Sequence, residues 1–408
     1  MTRTQRGQRA QRAERAIRSD ALGFPTLCAL CVLCLLCVLG ARELRAASAQ
    51  EPSGPQPVSA AQLQAAIGKL GDLNYDTRTA ASRTVRRTAS AQAVPALMQA
   101  VAEQPDGYVR YRSLVLLTGF NDPRTIDSMR ESLASPNDRL RIVAYSFFEK
   151  NPDRGMVPQF LTALEKETAE FVRPALVRAL AALGDDARVR QALLREVPRG
   201  EDFFRSAVIE ALGDYKAQYA VDVIAAVAKL DGPLQDDAAL ALGKVGDKRA
   251  LETLAAIQRT APRQTQPSIA AAICLLGIDC ASHVSYLVET LKFSDKNEGF
   301  QELLRGAASG LGALAVSGRA EAAKALVEIG IPAKDPTRAP VALALATVAL
   351  RNTPLAMTLL EQMTDREGAL ALMAGASTCS KRISPRSGSL RSCAGRIGNR
   401  PPTRPAAR

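Results

Sequence analysis

The chain has 408 residues, 47% apolar and 23% charged, which is enough for a large buried core and too apolar for a disordered polyelectrolyte. Aromatics make up 4%, Trp is absent and there is one His, which excludes a site built on two histidines of one chain and argues against an aromatic platform for single-stranded nucleic acid. The net charge of +12 divides into +5 over residues 1–49, −1 over 50–377 and +8 over 378–408, so the central body is neutral and shows no basic footprint for nucleic acid.

The N-terminus reads as a targeting segment. Arg recurs at positions 3, 6, 9, 12, 15 and 18, and residues 21–40 then run without a charge. Ala47-Ser48-Ala49 follows, as a small-residue cleavage site would. Residues 1–49 are therefore expected to be a signal peptide, or else a membrane anchor through residues 21–40. Either way the body lies across the membrane from the basic end, in the periplasm or outside the cell. Cys28, Cys31, Cys34 and Cys37 sit inside this apolar segment and are read as small apolar side chains. Residues 50–57, rich in Pro, read as a stiff linker.

From Val58 the hydrophobic period is helical and it repeats. An apolar helix ends near Leu-Gly, an Asp follows, and a second amphipathic helix begins. The turn acids Asp122, Asp153, Asp185, Asp214, Asp247 and Asp279 are spaced 29 to 33 residues apart. The turn glycines Gly184, Gly213, Gly246 and Gly277 are expected in the left-handed conformation, with each Asp capping the helix that follows. A second ladder, Arg78, Arg110, Arg141, Arg173 and Arg205, continues through Gln235 and Gln266 to Arg305 and Arg338. Its expected role is structural, each Arg bridging to the turn Asp of a neighbouring repeat; the alternative is a basic stripe for an acidic partner. Two helices per unit at this period predict an all-α fold, a right-handed α-solenoid of stacked antiparallel helix pairs over residues 58–376. Residues 377–408 lose their acids and their helical period, and read as a disordered basic tail or an out-of-frame end.

The units resemble HEAT repeats, in particular the short HEAT-like type of phycobilisome lyases. The best matches are ALGKVGDKRALETL at 241–254 and ALGDDARVRQALL at 182–194, within about nine helix pairs. The resemblance implies a curved solenoid whose inner face, lined by the second helices, binds proteins. Residues 147–155 depart from it by lacking the turn Gly, and the unit around 294–318 is longer.

Candidate chemistry is sparse. His283 stands alone at a helix start, without a nucleophile and carboxylate to make a triad. The family also includes di-iron hydroxylases with paired His-Glu motifs, which this chain lacks, so that activity is not carried over. Cys274 and Cys280 face each other across one turn, either as a disulfide or as two small core residues. No catalytic, metal or cofactor set is expected. The reading is a non-catalytic protein-interaction scaffold, exported to the envelope, that binds a protein or peptide along its concave face. The alternative is a lyase-type enzyme or enzyme accessory. Expected contact residues on the second helices are Asp127, Arg130, Glu131, Gln191, Arg195, Glu252 and Arg259.

Overall fold

The computed structural model describes residues 58–373, and the leader, linker and tail expectations lie outside them. Helix formation begins with matched local chemistry. Ser59 Oγ accepts from Gln62 N–H while Gln62 Oε1 accepts from Ser59 N–H, opening α1 (Ala60–Gly68). Asn74, Asp106 and Asn137 cap the next helices of that kind, each side chain accepting from the N–H two residues on at 2.7–3.0 Å.

After α1 the described chain forms nine helix pairs and no β-strand. The first helices are α2 (Tyr75–Arg87), α4 (Gly107–Leu117), α6 (Asp138–Lys150), α8 (Arg173–Ala181), α10 (Asp202–Asp214), α12 (Gln235–Val245), α14 (Gln266–Leu275), α16 (Gln301–Val316) and α18 (Arg338–Arg351). Their partners are α3 (Ser90–Glu103), α5 (Thr125–Ser132), α7 (Val157–Lys166), α9 (Ala187–Glu196), α11 (Val221–Ala228), α13 (Ala250–Gln258), α15 (Cys280–Lys296), α17 (Ala320–Gly330) and α19 (Thr353–Gln362). A helical turn at 366–373 follows. First helices stack on first helices and second on second, which makes the molecule an α-solenoid. The core runs the length of the stack as Leu, Val, Ile and Ala layers, with one aromatic knot where Tyr145 and Phe148 meet Phe160 edge-on.

The two rows pack differently, and this sets the curvature. In the first-helix row small residues let backbones touch. A Cβ on Gly213 would lie 2.9 Å from Ala241 Cα, and one on Gly243 would lie 2.3 Å from Ala272 Cα. Contacts in this row even skip a repeat, between α12 and α16. A stack that is shorter along one row bends toward it, and on this argument the first helices form the inner row, against the expectation that the second helices do. The physical reason lies in the Gly and Ala positions of the first helices, which allow the close approach that larger side chains between second helices prevent.

Turn chemistry follows the expectation in part. Gly246 and Gly277 are left-handed at φ 81° and 86°. Gly184 and Gly213 are not: Gly213 is needed inside α10 for helix contact, and the left-handed residue of that turn is Lys216. Asp122 and Asp247 do not cap α5 and α13 but accept from the N–H of Arg124 and Arg249 in the turn just before them, and Asp153 opens a short 3-10 turn, whereas in the fourth repeat Asp186 caps and Asp185 pairs with Arg154. Asp279 is itself left-handed and does not cap, and Asp214 belongs to a network described below.

The Arg ladder is structural, but most of its partners are backbone carbonyls rather than turn acids; Arg173 meets Glu196 and Arg141 adds Glu167. Arg110 Nε donates to Val101 O, Arg205 Nε to Val197 O and Arg141 Nη1 to Ser135 O, each at or just beyond the end of the preceding second helix. Gln235 does the same to Ala228 O and Arg338 to Ile331 O. The last carbonyls of a helix have no intrahelical donor, and a donor from the next first helix satisfies them while fixing the repeat-to-repeat angle. Some turn acids pair locally, as Asp122–Arg124 and Asp247–Arg249, while Asp153, Asp185 and Asp214 bridge to cations of other repeats that are not ladder residues, Arg130, Arg154 and Arg178 among them.

Candidate functional site on the inner face

Two features occupy the inner row. The first is an ion network at the C-terminal ends of the first helices. Asp214, with 6% of its side chain exposed, accepts from Arg178 at 2.9 Å, Lys244 at 3.0 Å and Arg351 at 2.6 Å. Those cations come from α8, α12 and α18, so the fifth repeat is tied to its neighbours and also to the ninth. Arg178 also holds Glu149 of α6 at 2.8 Å, and Tyr215 Oη donates to the same carboxylate at 3.0 Å. Burial opposes ionisation of Asp214, but Lys244, Arg351 and Arg178 outweigh it and hold its carboxyl below the ordinary range. Burial pushes the Tyr215 hydroxyl up, and the Glu149 charge adds to that. Asp214 and Glu149 are each paired with a cation, so the network ties the repeats to one another.

The second feature lies on repeats one to three. The helices α2, α4 and α6 carry nine basic and three acidic residues, a net charge of +6, whereas α10 and α12 carry two basic and five acidic residues. Tyr108 and Arg112 stand four residues apart, on one face of α4. Arg139 of α6 lies over the Tyr108 ring at 5.4 Å and the Tyr111 ring at 5.8 Å. Arg112 Nη2 donates to Ser82 Oγ of α2 at 3.3 Å, and its Nε is buried with no partner. Arg112 of α4 thus reaches back to α2, and the tyrosines of α4 meet Arg139 of α6, so polar and aromatic contacts link three successive first helices.

The sequence-predicted contact residues are elsewhere. Asp127, Arg130 and Glu131 are exposed on α5, Gln191 and Arg195 on α9, Glu252 on α13, and Arg259 just past its end. All lie on the outer row. Arg130 reaches Asp127 at 3.8 Å and Asp153 at 3.1 Å, and Glu252 borders an open cleft with Asp222, Lys229 and Arg249; the seven do not form one site. Cys274 and Cys280 are joined as a disulfide between α14 and α15, with Cα atoms 4.3 Å apart. His283 sits in the first turn of α15, where burial lowers its pKa against the opposing charge of Asp279. Among the described residues no three His, Cys, Asp or Glu side chains cluster to hold a metal ion, and no single helix is long and apolar enough to cross a membrane. Sequence reasoning missed Arg178, Lys244, Arg351, Arg112, Arg139 and the tyrosines. For Arg351 no local signal exists, because its partner is remote in the chain. For Tyr108 and Arg112 the i, i+4 spacing on a first helix was the available cue.

Residues 63–149 match the family model for HEAT repeats, and residues 234–259 match that for the PBS lyase HEAT-like repeat. The chain is a HEAT-like repeat protein. Among solved structures it is similar to the complex of CpcE and CpcF of phycocyanin lyase from Nostoc sp. PCC7120, at 18% identity over 81% of this chain and 98% of that one, with a TM-score of 0.25. It is also similar to Kap121p bound to Ste12p, at 14% identity and a TM-score of 0.39, over 83% of this chain and 39% of that one. No curated protein sequence matches the chain.

Proposed function

We propose that this HEAT-like protein is a non-catalytic scaffold that binds a protein or peptide along the inner row of first helices. The observation behind the reading is the set of polar and aromatic contacts that runs across three consecutive first helices, Ser82 to Arg112 and Tyr108 and Tyr111 to the exposed Arg139. Repeated helices presenting polar and aromatic side chains at constant register supply many modest contacts to an extended ligand, and need no reactive centre. Export accompanies this reading. The basic start, the uncharged residues 21–40 and Ala47-Ser48-Ala49 support it, and the Cys274–Cys280 disulfide suits an oxidising compartment.

Affinity capture from an envelope fraction tests the scaffold, with the full chain and its Arg139→Glu variant as baits. A partner held by the first and lost by the second is expected. No partner above background with either bait overturns the proposal. A second reading, an accessory to a lyase, is favoured by the PBS lyase-type match at 234–259. It predicts a shift in bilin absorbance on mixing, which a scaffold does not.

A further inference from the structure

We infer that the inner face of repeats one to three is a carboxylate-binding subsite for an acidic peptide, a deepening that rests on the scaffold reading above. Arg112 carries the argument. Other inner-row and ladder arginines meet a carboxylate or a carbonyl: Arg178 two carboxylates, Arg141 Glu167 and Ser135 O, Arg110 Val101 O, Arg205 Val197 O, and Arg173, whose Nε is also buried without a partner, Glu196. Arg112 has one hydroxyl contact, at 3.3 Å, and a buried Nε with no partner. A guanidinium drawn into a fold without an anion loses water and gains no charge-assisted bond. An incoming carboxylate restores both.

The surroundings fit such a group. Arg139 is exposed and lies over Tyr108 and Tyr111, with no ion pair among the described residues, so a second guanidinium on the neighbouring first helix is open to an anion. The tyrosine rings, 5.7 Å apart, offer apolar area to the methylenes of Glu or to a neighbouring aliphatic side chain. Of the nine cations of α2, α4 and α6, Arg78, Arg110 and Arg141 are turned to helix-end groups, and the six others still outnumber the three acids of these helices, which is complementary to an acidic segment. The inner row then changes sign, since α10 and α12 carry five acids against two bases. A nucleic acid needs positive charge that continues along its phosphates, whereas a short acidic run followed by neutral or basic residues does not. The observations therefore favour a peptide.

The test is fluorescence anisotropy on the full chain with a labelled twelve-residue peptide of alternating Glu and Ala, its Gln-for-Glu counterpart, and a labelled oligothymidylate. The Glu peptide is expected to bind, the Gln peptide to bind at least tenfold more weakly, and Arg112→Gln and Arg139→Gln each to weaken the Glu peptide about tenfold. Arg195→Gln on the outer row removes the same charge and should leave binding unchanged, which separates a site from general attraction to the basic ends. Arg139 is exposed, so its variant keeps the test alive even if Arg112→Gln loses its helical circular dichroism. Equal loss with Arg195→Gln, no binding of the Glu peptide, or tighter oligothymidylate binding that the same two variants abolish, each overturns the inference. A partner captured in the envelope experiment without any Glu-peptide binding leaves the scaffold standing and removes the acidic subsite.

Discussion

Replacing Asp214 with Asn tests the ion network most directly. The carboxylate is 6% exposed and meets Arg351 at 2.6 Å, Arg178 at 2.9 Å and Lys244 at 3.0 Å. In the variant Arg178 keeps Glu149, but Lys244 and Arg351 lose their anion. Their nitrogens, held against one carboxylate, are at most about 8 Å apart, and at an effective dielectric of about 20 their repulsion costs about 2 kcal/mol. Removing one partner from a buried pair costs about 3–5 kcal/mol; because the cations are 21–32% exposed, the low end, about 3 kcal/mol, applies. The 316 described residues imply an unfolding entropy near 0.7 kcal/mol/K, so Tm should fall by about 5 °C if the array melts as one unit. Differential scanning calorimetry reads this. Arg351→Ala should cost less heat stability but raise the radius of gyration in small-angle scattering, since it frees the ninth repeat from the fifth. An Asp214→Asn variant within 1 °C of the parent, with scattering unchanged in both variants, would show that the clamp holds nothing.

Gly243→Ala should destabilise by about 1–3 kcal/mol by urea titration, because its Cβ would lie 2.3 Å from Ala272 Cα and the helices must part; an unchanged midpoint would contradict the close-packed inner row. The Asp122 and Asp186 carboxyls are held at about 2 by side-chain hydrogen bonds from Arg124 and Arg188. Their folded values lie below the unfolded value of about 3.9, so their contribution is complete above that pH and is lost as pH falls toward 2. Asp122→Asn combined with Asp186→Asn should therefore flatten the acid limb of a stability profile between pH 4 and 2. His283 should titrate below 6.5 by NMR, since burial disfavours its cation; a value above 6.5 would mean Asp279 dominates.

Repeat length, helix pairing and all-helical class were legible in the chain, because a period near 32 residues, turn acids and apolar stripes such as Ala250, Leu254 and Ile257 are local patterns with local causes. So was the structural nature of the Arg ladder, though not its partners: whether a guanidinium meets an Asp or a helix-end carbonyl depends on where the previous helix stops. The inner and outer rows were not legible. Curvature accumulates from small differences in helix spacing at positions such as Gly213, Gly243 and Gly312, and no single repeat encodes it. The same accumulation brings Arg351 to Asp214 and leaves the half-buried Arg112 without an anion, so both the clamp and the proposed subsite are products of the stacked array.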